Sequence, residues 1–171
     1  MKPPQRRIAR EWALRALYQI EVANKSPEEA LEEVLSVANL EPEHQEYVRD
    51  LVRGVSTLHA TELDPLIEQF AKGWTIDRMA VIDRNILRIA VYELRHHPHT
   101  PPAVVVNEAV ELAKKYSTAQ SGRFVNGVLG GALRQMFPQQ EEPSEGEGER
   151  PIERAIFSIS SCGRSPTIPN Q

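Results

Sequence analysis

A single cysteine, Cys162, occurs in the 171 residues of the chain. One thiol excludes an intrachain disulfide framework and any metal site built from several cysteines, and Cys162 reads as incidental. No apolar run reaches the ~18 residues needed to span a bilayer. The basic N-terminus lacks the apolar core of a signal peptide. A soluble, cytoplasmic protein is expected, with no membrane role. Strand alternation is missing as well: Val104-Val105-Val106 is too short to matter. Without strands there is no phosphate-binding glycine loop between a strand and a helix. Asn107-Glu108 and Asp83-Arg84-Asn85 are polar groups without a nucleophile or a poised base beside them. The chain is therefore read as a non-enzyme that needs no cofactor.

What is present is segregated charge. The chain carries −4 overall, yet its first 25 residues carry +4, with Lys2, Arg6, Arg7, Arg10, Arg15 and Lys25 against Glu11 and Glu21. Residues 26–71 carry −9, residues 72–99 and 100–137 carry +2 each, and residues 138–171 carry −3. A basic segment on an acidic chain marks a place, and its natural partner is a polyanion, either nucleic acid or an anionic membrane surface. If the basic ends meet in space, they form one face.

Up to residue 137 the apolar period is helical. Ile8, Ala9, Trp12, Ala13, Ala16, Leu17 and Ile20 recur at spacings of three and four. Ser26-Pro27 caps a short second helix. Pro42 opens a third, which continues beyond a kink near Asp64-Pro65. Lys72-Gly73-Trp74 ends it. Thr75 or Asp77 caps a fourth, which stops before Pro98, Pro101-Pro102 opens a fifth, and Ser117 or Thr118 begins the last. An all-α chain is expected, with a helical domain over residues 1–137 and a disordered tail over 138–171, where Gln139 to Arg150 has no apolar residue.

At ~100° per residue, Ala9, Ala13, Ala16 and Ile20 centre the buried stripe of the first helix. Arg7, Leu14 and Tyr18 then project to the opposite, exposed side, and Arg10 borders it. Two readings stay open: a solvated basic face, or RNA contact by the arginines with Leu14 and Tyr18 serving stacking or a protein. Gly127, Gly130 and Gly131 each cost roughly 1 kcal/mol against alanine inside a helix, which suggests close packing of backbones. Asn126 stands beside an apolar stripe, where it would bond a neighbouring helix or a ligand. His96, His97 and His99 gather at a helix C-terminus, where the dipole favours positive charge, and their spacing matches no standard metal site.

Five segments in order resemble the NusB family of bacterial transcription antitermination factors. They are Arg6-Arg7-Ile8-Ala9-Arg10-Glu11 with Ala16-Leu17-Tyr18, Arg49-Asp50-Leu51 with Gly54-Val55, Leu87-Arg88-Ile89-Ala90-Val91-Tyr92-Glu93-Leu94, Val106-Asn107-Glu108-Ala109-Val110-Glu111-Leu112-Ala113-Lys114, and Phe124-Val125-Asn126-Gly127-Val128-Leu129. The resemblance covers about residues 2–135. It implies two small packed helical bundles, meeting near residue 72. It implies binding of the boxA element of ribosomal RNA leader transcripts, jointly with NusE, a small-subunit ribosomal protein, within the RNA polymerase antitermination complex. Carried over residue by residue, the RNA contacts are Lys2, Arg6, Arg7, Arg10, Ser121, Arg123, Phe124 and Asn126. The partner contacts are Tyr18, Asp83, Arg84, Leu87 and Arg88. Gln120-Ser121-Gly122 departs from the more charged residues often found there, and the tail is longer than the family needs.

Two other readings compete. One is a protein-only scaffold that homodimerises when free, motivated by Leu14 and Tyr18. The other is a stand-alone relative of the RNA-binding domain of ribosomal RNA cytosine methyltransferases, which would need a separate catalytic domain.

Overall fold

The computed structural model describes residues 5–138; Lys2, Cys162 and the expected tail beyond Pro138 lie outside them. Among the described residues there are α-helices and no strand: α1 (Gln5–Val22), α2 (Pro27–Ala38), α3 (Pro42–Leu58), α4 (Asp64–Phe70), α5 (Val81–His96), α6 (Pro102–Tyr116) and α7 (Ala119–Met136). This is the all-α class that the periodicity predicts. None of these helices is long and apolar enough to cross a membrane.

Local chemistry places most of the boundaries. Ser26 Oγ accepts from the Glu29 N–H at 3.1 Å, and the Glu29 carboxylate accepts from the Ser26 N–H at 3.0 Å, so α2 starts in a reciprocal capping box. Thr118 caps α7 by accepting from the Ser121 N–H at 2.9 Å. Between α3 and α4 the expected kink is a π turn, His59–Leu63. Pro65 follows it and has no N–H to continue the regular ladder.

One boundary differs from expectation. Thr75 precedes only a 3₁₀ turn, Ile76–Arg78, to which its side chain makes no capping bond, and α5 begins later, after Ala80. Glu68 holds the turn by accepting from the Ile76 N–H at 2.7 Å. The Arg84 guanidinium donates to the carbonyls of Ile76 and Met79 at 3.1 and 2.9 Å. These side-chain bonds satisfy a separate turn, which a periodicity argument does not register.

One continuous cluster of buried side chains crosses the connection near residue 72. α5 lies at its centre, packed against α1, α3, α4, α6 and α7. Its apolar residues are therefore buried on every side, Leu87 completely, at about 1.5–3 kcal/mol for each large aliphatic side chain. Close packing explains two glycines. A Cβ on Gly54 would sit 2.2 Å from the Tyr92 ring, and one on Gly131 would sit 2.6 Å from Phe70 Cδ1. Gly127 has open space at its Cβ position and Gly130 meets only Arg134 at 3.9 Å, so the packing expected of all three α7 glycines holds for Gly131 alone.

Candidate nucleic-acid and partner interface

The three arginines that open α1 meet three different fates. Arg6 is exposed, with its guanidinium carbon 4.2 Å from the centroid of the Tyr47 ring. Arg7 makes a two-pronged ion pair with Glu108 of α6, both bonds 2.8 Å. Arg10 makes one with Glu93 of α5, at 2.7 and 2.8 Å, and only 5% of its side chain and 1% of that of Glu93 are exposed. The Tyr47 hydroxyl also donates to Glu93. Burial alone would lower the Arg10 pKa; the hydrogen bonds and charge of Glu93 outweigh it and raise the value. Burial, and then the Glu93 charge, push the Tyr47 hydroxyl up. The Arg7 hydrogen bonds hold the Glu108 carboxyl below the usual range.

Arg10 is thus no free cation at the edge of the helix, as expected above, but part of the interior. The reason is angular. Arg10 lies three positions before Ala13, only ~60° from it on the helix, and α1 is gripped by α2, α3 and α5. A buried arc served by several helices is wider than one stripe. Leu14 corrects the same way: one turn before buried Leu17, it is itself buried, while Tyr18 remains 42% exposed.

α1 and α6 run side by side in the same direction. After Arg7–Glu108 come Lys115 and Tyr116, which donate to the Glu11 carboxylate at 3.0 Å each. The Arg15 guanidinium then stands 4.9 Å from the centroid of the Trp12 ring and 5.9 Å from that of Tyr116. Beyond Tyr116 the chain turns into α7. The two halves of the expected RNA face are therefore not in contact. They lie at opposite ends of the α1–α6 seam, about nine residues of α6 or ~14 Å apart at 1.5 Å per residue. Exposed Arg15 and Lys115 occupy the interval.

At the α7 end, Ser121 donates to Asp83 Oδ2 at 2.9 Å and lies 2.9 Å from Ser117 Oγ. Arg123 is exposed, and Phe124 and Asn126 are half-buried. Phe124 meets Trp74 edge-on, centroids 6.1 Å apart.

The expected partner residues separate. Tyr18 borders an open groove of about 720 Å³ between α1 and α2, with Leu14, Val34, Val37 and Ile82 among its walls. Leu87 is in the core and cannot touch a partner. Arg88 is also buried; it donates to both Asp64 carboxylate oxygens at 2.9 and 3.0 Å and to Glu21 at 3.3 Å. Arg84 pairs with Glu21 too, and burial, then the charge of Arg88, lower its pKa. Asp83 is buried behind Ser121. The physical reason is the central place of α5: its polar residues tie it to α1, α4 and α7.

The histidines are likewise internal partners. His97 Nε2 lies 2.6 Å from Asp50, and His96 stacks on Tyr92. No group suited to a metal ion occurs among the described residues.

Sequence reasoning gave no role to Trp74, which it placed at a helix end, or to Tyr116. Trp74 carried a signal: a large aromatic in a connection right after Gly73 has no helix face to fill. Arg15 was counted among the basic residues without a role.

Among the described residues, a helical scaffold with basic and aromatic side chains along one seam, and an open apolar groove beside it, is the form of a binding protein. The comparisons make this specific. The NusB family model matches residues 7–134. The transcription antitermination protein NusB of Symbiobacterium thermophilum is 49% identical over 139 residues, covering 77% of this chain and 90% of the relative. That of Myxococcus xanthus is 45% identical over 128 residues, covering 72% and 91%. Among solved structures, T. maritima NusB superposes with a TM-score of 0.71 at 36% identity, over 79% of this chain and 94% of the other. The antitermination factor NusB in a complex with NusE and dsRNA superposes with a TM-score of 0.70 at 32% identity, over 77% and 97%. The chain belongs to the NusB family of transcription antitermination factors.

Proposed function

We propose that the protein binds the boxA element of ribosomal RNA leader transcripts together with NusE, and so supports read-through by RNA polymerase without catalysing a reaction. The observation that carries this is the likeness to a NusB that was solved with NusE and dsRNA, over almost the whole of that chain.

The geometry supports a division of labour. Arg6, Arg7, Arg15, Lys114, Lys115 and Arg123 supply positive charge along the α1–α6 seam and the start of α7, and phosphate contacts of this kind give affinity that falls with salt. Lys2, the other basic residue proposed for RNA contact, lies outside the described residues. Aromatic and guanidinium planes accept the splayed bases of a single strand. The groove beside Tyr18 takes the protein partner. It borders α2, where Glu33 on its wall and exposed Glu29 and Glu32 favour a basic protein such as a ribosomal subunit protein. Leu87 and Arg88 are buried and form no part of that groove.

The test is RNA binding by the whole chain, with and without NusE, at two salt concentrations. Tighter binding with NusE and a steep salt dependence are expected. No preference for boxA over a scrambled strand would overturn the RNA assignment. A stable homodimer that excludes NusE would favour the scaffold reading, for which the exposed Tyr18 and Val37 are the motivating observation.

A further inference from the structure

A second cleft, of about 460 Å³, opens between the 3₁₀ turn and the start of α7. Trp74, 48% exposed, and the edge of Phe124 form one wall. Gln120, Thr118 and Ser121 form the opposite side. Asp83 lies at the back, 9% exposed: its Oδ2 accepts from Ser121, and its Oδ1 is buried with no partner.

We propose that this cleft holds one unstacked nucleobase of a bound RNA strand, lying on Trp74, with its phosphate at the first turn of α7 beside Arg123. The inference rests on the RNA-binding reading above and extends it from charge to base contact. Trp74 is placed where an aromatic ring has no packing duty that requires half its surface to be wet. A flat, exposed indole offers a stacking platform to any base. The charges nearby favour an anionic strand over a cationic peptide: Lys72, Arg78 and Arg123 are exposed there, against exposed Asp77. Arg78 stands 5.9 Å from the centroid of the Trp74 ring, loosely enough to move onto a phosphate. α7 is eighteen residues long, so the positive end of its dipole faces the same opening. The unpartnered Asp83 oxygen gives the base edge an acceptor: a turn of the carboxylate about its last bond brings Oδ1 toward a base N–H.

The experiment uses the full chain and a labelled single-stranded RNA spanning boxA. Stacking on one aromatic ring is worth a factor of about 5 to 150 in affinity. Trp74→Ala should lose affinity within that range without changing the salt slope, and Trp74→Phe should keep most of it. Circular dichroism confirms that each variant is folded. Trp12→Phe leaves Trp74 as the sole tryptophan of the two, and its emission should then be quenched when RNA binds. Unchanged affinity in Trp74→Ala, or unquenched emission at saturating RNA, overturns the base site. So does a loss confined to NusE binding, which would make the cleft a protein contact. If Arg123→Ala weakens binding while Trp74→Ala does not, only this inference fails. If the wild-type chain binds no RNA, the wider reading fails with it.

Discussion

The start of α1 and the start of α7 both place basic residues near a helix N-terminus, and they use them in opposite ways. At α1, Arg10 is buried on Glu93 and Arg7 is matched to Glu108, leaving Arg6 as the loosest of the three. At α7, Thr118 and Ser121 bond each other and Ser121 donates to Asp83 Oδ2, and Arg123 has no ion pair among the described residues. A formal charge in the sequence is therefore a poor measure of charge available to a ligand. The richer cluster of α1 is largely committed to holding the bundle together. The poorer one of α7 is free.

The largest effect that would break this contrast is at Arg10. Arg10→Ala should destabilise the fold by about 3–5 kcal/mol, because Glu93 is left charged and buried. Chemical denaturation measures it, and RNA affinity per folded molecule should stay the same. A loss of affinity without a loss of stability would return Arg10 to the surface and undo the comparison.

Arg7 should behave in between. Its guanidinium is 41% exposed, while Glu108 is 11% exposed, so Arg7→Ala should cost about 1 kcal/mol or less and also lower the salt slope of RNA binding by ~1. The pair has a pH signature. Glu108 titrates below its unfolded value, so its contribution is present above the ordinary glutamate range and is lost as pH falls through the depressed value. Melting curves from about pH 6 down to about pH 3 should show the wild type and Glu108→Gln converging. A constant gap across that range would mean that the pair is not formed.

The fold was legible because helical period, prolines at helix starts and Ser26 or Thr118 as caps all act locally. The 3₁₀ turn after Thr75 was not, because the side chains of Glu68 and Arg84, on the elements either side of it, satisfy its backbone. At the candidate site, Arg7 and Tyr18 could be picked from a helical projection, and Arg6 from the family resemblance. Arg10 and Leu14 were misread because a projection knows one buried direction, whereas α1 is enclosed by several helices; Leu87 and Arg88 were carried over from the family resemblance, and the enclosure of α5 buries them. No periodicity shows which carboxylate will reach across from another helix, and that partner decides whether an arginine is structural or free.

The smallest effect on stability, and the sharpest on function, belongs to Arg123. An exposed side chain without an ion pair among the described residues should be replaceable by alanine within about 0.5 kcal/mol of wild-type stability. If Arg123 contacts a phosphate, the same substitution lowers RNA affinity across sequences and reduces the salt slope by ~1. Paired with Arg10→Ala, it gives a double dissociation: one variant loses the fold and keeps the ligand, the other keeps the fold and loses the ligand. Titrations of both variants at two salt concentrations measure it. Equal losses of affinity per folded molecule would mean that the two basic clusters do the same work, and that burial at α1 does not separate them.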